Sequence, residues 1–122
     1  MPDDATTTIA DLKQKVRTFC EARDWDQYHN AKDLAIGVST EAGELLDLFR
    51  FMSLEEVEVM FHDDTERGEI EDEMADVLLF LLRMAQKYDV DLAGAFARKM
   101  EKNEGKYPIE KARGSNKKYN RA

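Results

Sequence analysis

Apolar residues recur at three- and four-residue steps through almost the whole chain, and the alternation of a half-buried strand is nearly absent. That periodicity restricts the chain to helices that pack through apolar stripes. The first stripe is Ile9, Leu12, Val16, Phe19 and Cys20. Thr8 stands before it with Asp11 at the reciprocal position, so a capping box predicts a helix start after Thr8. Asn30, with Asp33 three residues on, caps a second helix running to about Phe51. Ser53 and Glu56 make another capping box and predict a short helix over about 54–61. His62 to Gly68 reads as a turn, which places the next helix from Glu69 to Tyr88 with Ile70, Met74, Val77, Leu78, Leu81 and Met84 as its apolar positions. Asp89 or Asp91 caps a fifth helix carrying Leu92, Ala95, Phe96 and Met100, and Gly105 is expected to end it. Pro108 stops a simple continuation, and the polar residues 111–122 are expected to form a mobile tail unless they close over a site.

Four or five helices in 122 residues predict an all-α bundle, with residues 1–122 as one domain. Leu45, Leu46, Leu48 and Phe49, and then Leu78 to Leu82, cover more than one narrow stripe, so oligomerisation is expected. The longest strongly apolar run, Val77 to Leu82, is far short of a membrane span. The first residues lack the basic-then-apolar pattern of a secretory signal, which makes the cytoplasm the default location. Cys20 is the sole cysteine and lies on an apolar stripe, so it reads as core.

Charge is divided along the chain. Net charge is -8, but the segment from Glu41 to Asp76 holds fourteen carboxylates against Arg50 and Arg67, while Arg98 to Arg121 is strongly basic. An acidic field of that size argues against nucleic acid as a partner. A polyphosphate bound together with a metal suits both halves; ordinary surface charge that pairs in the fold explains the division equally well.

Two acidic pairs stand out, Glu41 with Glu44 and Glu73 with Asp76. A spacing of three puts each pair on one helical face. Four residues after each acid stands an apolar side chain (Leu45, Leu48, Val77 or Phe80) and never a lysine or arginine. These carboxylates therefore border core positions, where an uncompensated charge costs several kcal/mol. A hard divalent cation such as Mg²⁺, with Mn²⁺ as a substitute, would supply the missing charge. The competing explanation pairs these acids with the basic C-terminal residues. Trp25 and His29 lie in the polar connection before the second helix, where Trp25 could stack on a base or simply cover a helix end. Lys99, Asn103 and Lys106 step by four and three and so share a face, ending beside Tyr107; they could clamp phosphates or be ordinary solvated groups. Neither a glycine-rich phosphate loop nor a zinc-ligand spacing is present, and Asp63-Asp64 does not complete a calcium loop.

The run Arg23-Asp24-Trp25-Asp26-Gln27-Tyr28-His29-Asn30-Ala31-Lys32-Asp33-Leu34, followed by Glu41-Ala42-Gly43-Glu44-Leu45, resembles the MazG-like all-alpha nucleoside triphosphate pyrophosphohydrolases, in particular their dCTP pyrophosphatase branch. Glu71-Asp72-Glu73-Met74-Ala75-Asp76-Val77-Leu78 matches a second element of that family. Lys99 to Asn103, Lys106-Tyr107-Pro108, Arg113-Gly114 and Lys118-Tyr119 match a third, so the likeness covers about residues 9 to 120 in family order. The resemblance implies Mg²⁺ on Glu41, Glu44, Glu73 and Asp76, and hydrolysis between the α and β phosphates to a monophosphate and pyrophosphate. It implies a homodimer or homotetramer, Trp25 and His29 on the base side, and Asn103, Lys106 and Tyr107 on the phosphate side. Beyond that likeness, Phe51 and Phe80 are expected to shape the base pocket, Lys99 to steady phosphate charge, and Lys32 to join the substrate-binding residues. Phe51, Phe80 and Asp33 depart from residues common in the dCTP-cleaving branch, which leaves base and sugar open. A non-enzymatic helical assembly module and a pyrophosphohydrolase of a noncanonical phosphorylated metabolite are the alternatives.

Overall fold

Local capping sets the first boundaries. The Asp11 amide donates to Thr8 Oγ1 and the Thr8 amide to Asp11 Oδ2, both at 3.0 Å, and α1 runs over Ile9–Ala22. It ends in a Schellman motif, with the Trp25 amide reaching back to the Cys20 carbonyl and the Asp24 amide to the Glu21 carbonyl, each at 3.0 Å. Asp24 takes the left-handed conformation that this turn requires, at φ 56°. A 3-10 turn at Asp26–Tyr28 leads to Asn30, which accepts from the Asp33 amide and caps α2 (Ala31–Phe49). Ser53 and Glu56 close the second capping box, and α3 occupies Leu54–Met60. The computed structural model describes residues 1–121, and among these every regular element is helical.

The turn expected over His62 to Gly68 is shorter than that and is confined to residues 61–63. Asp63 accepts from the Glu66 amide at 2.9 Å, so α4 starts at Asp64 rather than Glu69 and continues to Lys87. Gly68 weakens a helix but does not stop one, whereas an aspartate cap satisfies a free amide at the first turn. Gly105 is likewise inside its helix: α5 runs over Leu92–Lys106 behind the Asp91 cap, with Tyr107 at its C-terminal boundary. Pro108 does interrupt the chain, and a short α6 (Ile109–Ala112) follows it, so the described residues form six α-helices rather than the expected four or five.

The chain divides after Asp89 into two units. In the first, α4 packs against both α1 and α2. The α2–α4 pairing is antiparallel, as its register shows. The Ala31 amide donates to the Tyr88 hydroxyl at 2.9 Å, Gly37 lies against Phe80, and Glu41 comes beside Glu73 and Asp76. Gly37 permits this approach, because a Cβ there would stand 2.4 Å from the Phe80 ring. Val16 and Cys20 of α1, Leu34 of α2, Met60 of α3 and Ile70, Leu82 and Ala85 of α4 form the buried core. The apolar face of α4 is turned from its expected position: Met74, Leu78 and Leu81 are exposed while Leu82, Arg83 and Ala85 are enclosed. In the second unit, Tyr107 meets Tyr119 edge to face at 6.0 Å, and Lys106 Nζ lies 5.0 Å from the Tyr119 ring centre.

The two helical glycines should respond in opposite directions to alanine. A Cβ at Gly68 would meet nothing within 4 Å, so Gly68→Ala should raise stability by about 0.5–1 kcal/mol. Gly37→Ala should lower it by about 1–3 kcal/mol through overpacking against Phe80. Urea unfolding midpoints of the two variants check both signs.

Candidate active site

Helix periodicity places Glu41 and Glu44 on one face of α2, and Glu73 and Asp76 on one face of α4. The antiparallel register then brings the two faces together. One carboxylate oxygen from each of Glu41, Glu73 and Asp76 lies within 4.8 Å of the others. Glu44 is adjacent to both Glu41 and Glu73 and perturbs each. Glu41 Oε2 and Glu73 Oε2 are buried without any hydrogen-bond partner.

Neighbouring acids are treated differently. Asp47 pairs with Arg50, and Glu71 with Arg67 at 3.4 Å, both on exposed surface. Arg50 and Arg67 thus serve flanking acids and leave the cluster to repel itself. Loss of solvent, and then the Glu44 carboxyl, hold Glu41 above the usual carboxylate range. Loss of solvent and the Glu44 charge do the same to Glu73. Buried polar atoms ordinarily find partners. Two orphaned oxygens within the converging set of Glu41, Glu73 and Asp76 form a donor set that fits a hard divalent cation, and Glu44 lies beside that set but outside it.

Trp25 is set by the Schellman turn. Its ring packs edge-on to Phe19 at 5.6 Å and to His29 at 6.4 Å, so it covers the end of α1. It remains 41% exposed, which leaves ring surface free. His29 is half-buried and accepts a hydrogen bond at Nδ1 from Arg83 Nε at 2.9 Å. Lys32 is exposed in the first turn of α2, and Phe51 follows that helix at 85% exposure with Arg50 over its ring. Phe80 is half-buried with its ring against Gly37. Lys99, Asn103, Lys106 and Tyr107 lie in the second unit, where Lys106 and Tyr107 line a cavity of about 110 Å³ with Lys111, Lys117 and Tyr119. Arg83 had no sequence signal: it falls inside an apolar run and its partners Asp26 and His29 are 57 and 54 residues away.

Two antiparallel helices that converge carboxylates on unpartnered oxygens define an all-helical protein with an acidic site able to hold a metal. Residues 36–121 match the MazG-like family, and the chain belongs to it. Rat dCTP pyrophosphatase 1 is 35% identical over 112 residues, which cover 92% of this chain and 66% of the rat protein. The human dCTP pyrophosphatase 1 is 34% identical over the same length and coverage. The chain therefore spans just under two thirds of these relatives. The crystal structure of a pyrophosphatase from Archaeoglobus fulgidus matches with a TM-score of 0.75 at 37% identity, covering 88% of this chain and 99% of that one.

A carboxyl whose folded pKa is raised binds its proton more tightly in the folded state. Its contribution to stability falls as pH rises from the ordinary value near 4.5 through the raised one. Glu41→Gln should therefore raise the Tm of the metal-free protein at pH 8 and change it little at pH 4. Thermal melts in EDTA at the two pH values check this, and an equal shift at both would rule out charge repulsion as the cause.

Proposed function

We propose that the chain hydrolyses a nucleoside triphosphate between its α and β phosphates, with Mg²⁺ held by Glu41, Glu44, Glu73 and Asp76. The observation that carries this is the pair of buried, unpartnered oxygens of Glu41 and Glu73 within the acidic cluster. Family membership and the named pyrophosphatase relatives support the reaction class. When bound, Mg²⁺ supplies positive charge that offsets the phosphates and favours in-line attack by water.

The chain's own groups carry the remaining work. We assign the proton of the attacking water to Glu44 rather than Glu41, on the ground that Glu44 is the exposed member of the α2 pair. Glu41 and Glu73 hold charge at a place where water is excluded, so they favour a cationic partner over a lone anionic substrate. By correspondence with the family pattern, Lys99, Asn103, Lys106 and Tyr107 take the phosphates through ammonium, amide and hydroxyl donors. Trp25, His29 and Lys32 take the nucleotide side, and Phe51 and Phe80 border the base. The relatives named for dCTP make dCTP and modified deoxycytidine triphosphates the first substrates to assay.

Pyrophosphate release from a panel of ribo-, deoxyribo- and modified-base triphosphates should require Mg²⁺ and stop in EDTA. Glu44→Gln should lower kcat by on the order of 10²-fold or more while the far-ultraviolet helical signal is retained. Full activity in that variant, or equal release in EDTA, would remove the assignment.

The same proposal extends to assembly. Ile36 and Leu46 on α2 and Met74, Leu78 and Leu81 on α4 remain exposed, more apolar surface than scattered single residues account for. No helix among the described residues is long and apolar enough to cross a membrane, so burial against a second copy is the proposed outcome. Light scattering should return a mass at least twice the 14.1 kDa of one chain; a monomer at micromolar concentration would contradict it.

A further inference from the structure

Arg83 is the buried charged residue of the first unit, 1% exposed, and each part of its guanidinium is committed. Nε donates to His29 Nδ1 at 2.9 Å, Nη1 to Gln86 Oε1 at 2.5 Å and Nη2 to Asp26 Oδ1 at 2.7 Å. Lys87 Nζ adds bonds to the Asp26 carbonyl at 2.8 Å and to Oδ1 at 3.2 Å. Two residues of α4, one turn apart, thereby fix the connection that carries Trp25 and His29.

The chemistry of the Arg83–His29 bond goes further than anchoring. A guanidinium has donors and no acceptor, so His29 Nδ1 must present its lone pair. A neutral imidazole has one N–H, and that proton is then on Nε2. Protonation at Nδ1 would set an N–H against the guanidinium N–H and break the bond. We infer that Arg83 is a positioning residue that fixes His29 as a neutral Nε2–H donor, aimed at recognising a lone-pair acceptor of the nucleobase, such as a carbonyl or an unprotonated ring nitrogen. The inference rests on His29 facing the nucleotide.

Charge around His29 agrees with the geometry. Burial, then Arg83 and Lys87, hold its protonation below the ordinary value, and Asp26 alone opposes them. His29 thus keeps one hydrogen-bonding polarity through the neutral range. A base offering an N–H at that position would set donor against donor, the kind of mismatch that gives strong discrimination.

Nitrogen-15 spectra of the full-length chain test this directly. The two-bond proton–nitrogen pattern of His29 is followed from about pH 5 to 8, with His62→Gln assigning the only other histidine. We expect the Nε2–H pattern and a titration below 6.5. In Arg83→Met, His29 should show mixed tautomers and a higher titration point, while KM for the triphosphate rises several-fold and kcat changes less. Should Arg83→Met fail to fold, the wild-type spectrum still decides. An Nδ1–H pattern, a titration at or above the ordinary value, or an unaltered His29 spectrum and KM in Arg83→Met would overturn the inference. Because the spectrum is read without turnover, an expected His29 pattern in a protein that cleaves no triphosphate would count against the proposed reaction and not against the Arg83–His29 bond.

Discussion

The close approach of α2 to α4 is made by an absent side chain. Gly37 leaves room for the Phe80 ring where any Cβ would collide with it, and the antiparallel register follows from that contact together with the Ala31–Tyr88 bond. One helical turn from Gly37 along α2 is Glu41, and one to two turns back from Phe80 along α4 are Asp76 and Glu73. The acids meet because the helices do. Sliding either helix by one residue would rotate its acidic pair by roughly 100° and disperse the cluster. The glycine is therefore as much a part of the site as the carboxylates, although it touches no ligand.

Buried polar groups in the first unit fall into two kinds, and the contrast separates scaffold from site. Arg83 is enclosed and bonded at every nitrogen of its guanidinium: these meet an imidazole, an amide and a carboxylate. A buried charge bonded at each of its three nitrogens, one of them to a carboxylate, can stay in place. Glu41 and Glu73 are the opposite case, with oxygens shut away from water and given nothing in return. The neighbouring cations Arg50 and Arg67 are spent on Asp47 and Glu71. An arrangement that is unfavourable by itself becomes favourable when a cation arrives. The fold holds a binding determinant in the form of an unmet electrostatic requirement.

Local chemistry was legible in the sequence where its partners are near in the chain. The capping boxes of Thr8 with Asp11 and Ser53 with Glu56 close within four residues, and both form as expected. The acidic pairs were legible for the same reason, because an i,i+3 spacing on an apolar-flanked face needs only the helix to be correct. The start of α4 differs from expectation because the Asp63 cap satisfies an amide worth about as much as the roughly 1 kcal/mol that Gly68 costs inside a helix. Arg83 was invisible for a different reason. An arginine within Leu81-Leu82-Arg83-Met84 reads as a solvated interruption, and its acceptors arrive from more than fifty residues away. Sequence pattern reports helix faces well; which polar group on a face is enclosed depends on the tertiary neighbour.

Trp25 shows how one residue can satisfy a structural demand and still leave ring surface free. As the residue after the left-handed Asp24 it closes the Schellman turn, and its ring contact with Phe19 is the apolar contact that such turns commonly carry. That accounts for an aromatic residue at this position without any ligand. It does not account for the second contact, edge to face with His29, whose other side is held by Arg83 from α4. The ring and the imidazole are fixed from two helices, so the pair is rigid although it lies in a connection. A rigid aromatic surface next to a single-polarity donor loses little conformational entropy when a planar ligand is bound. The acidic cluster and the Trp25–His29 pair are thus both held by α4, the first from the face near its N-terminal half and the second from near its C-terminal end.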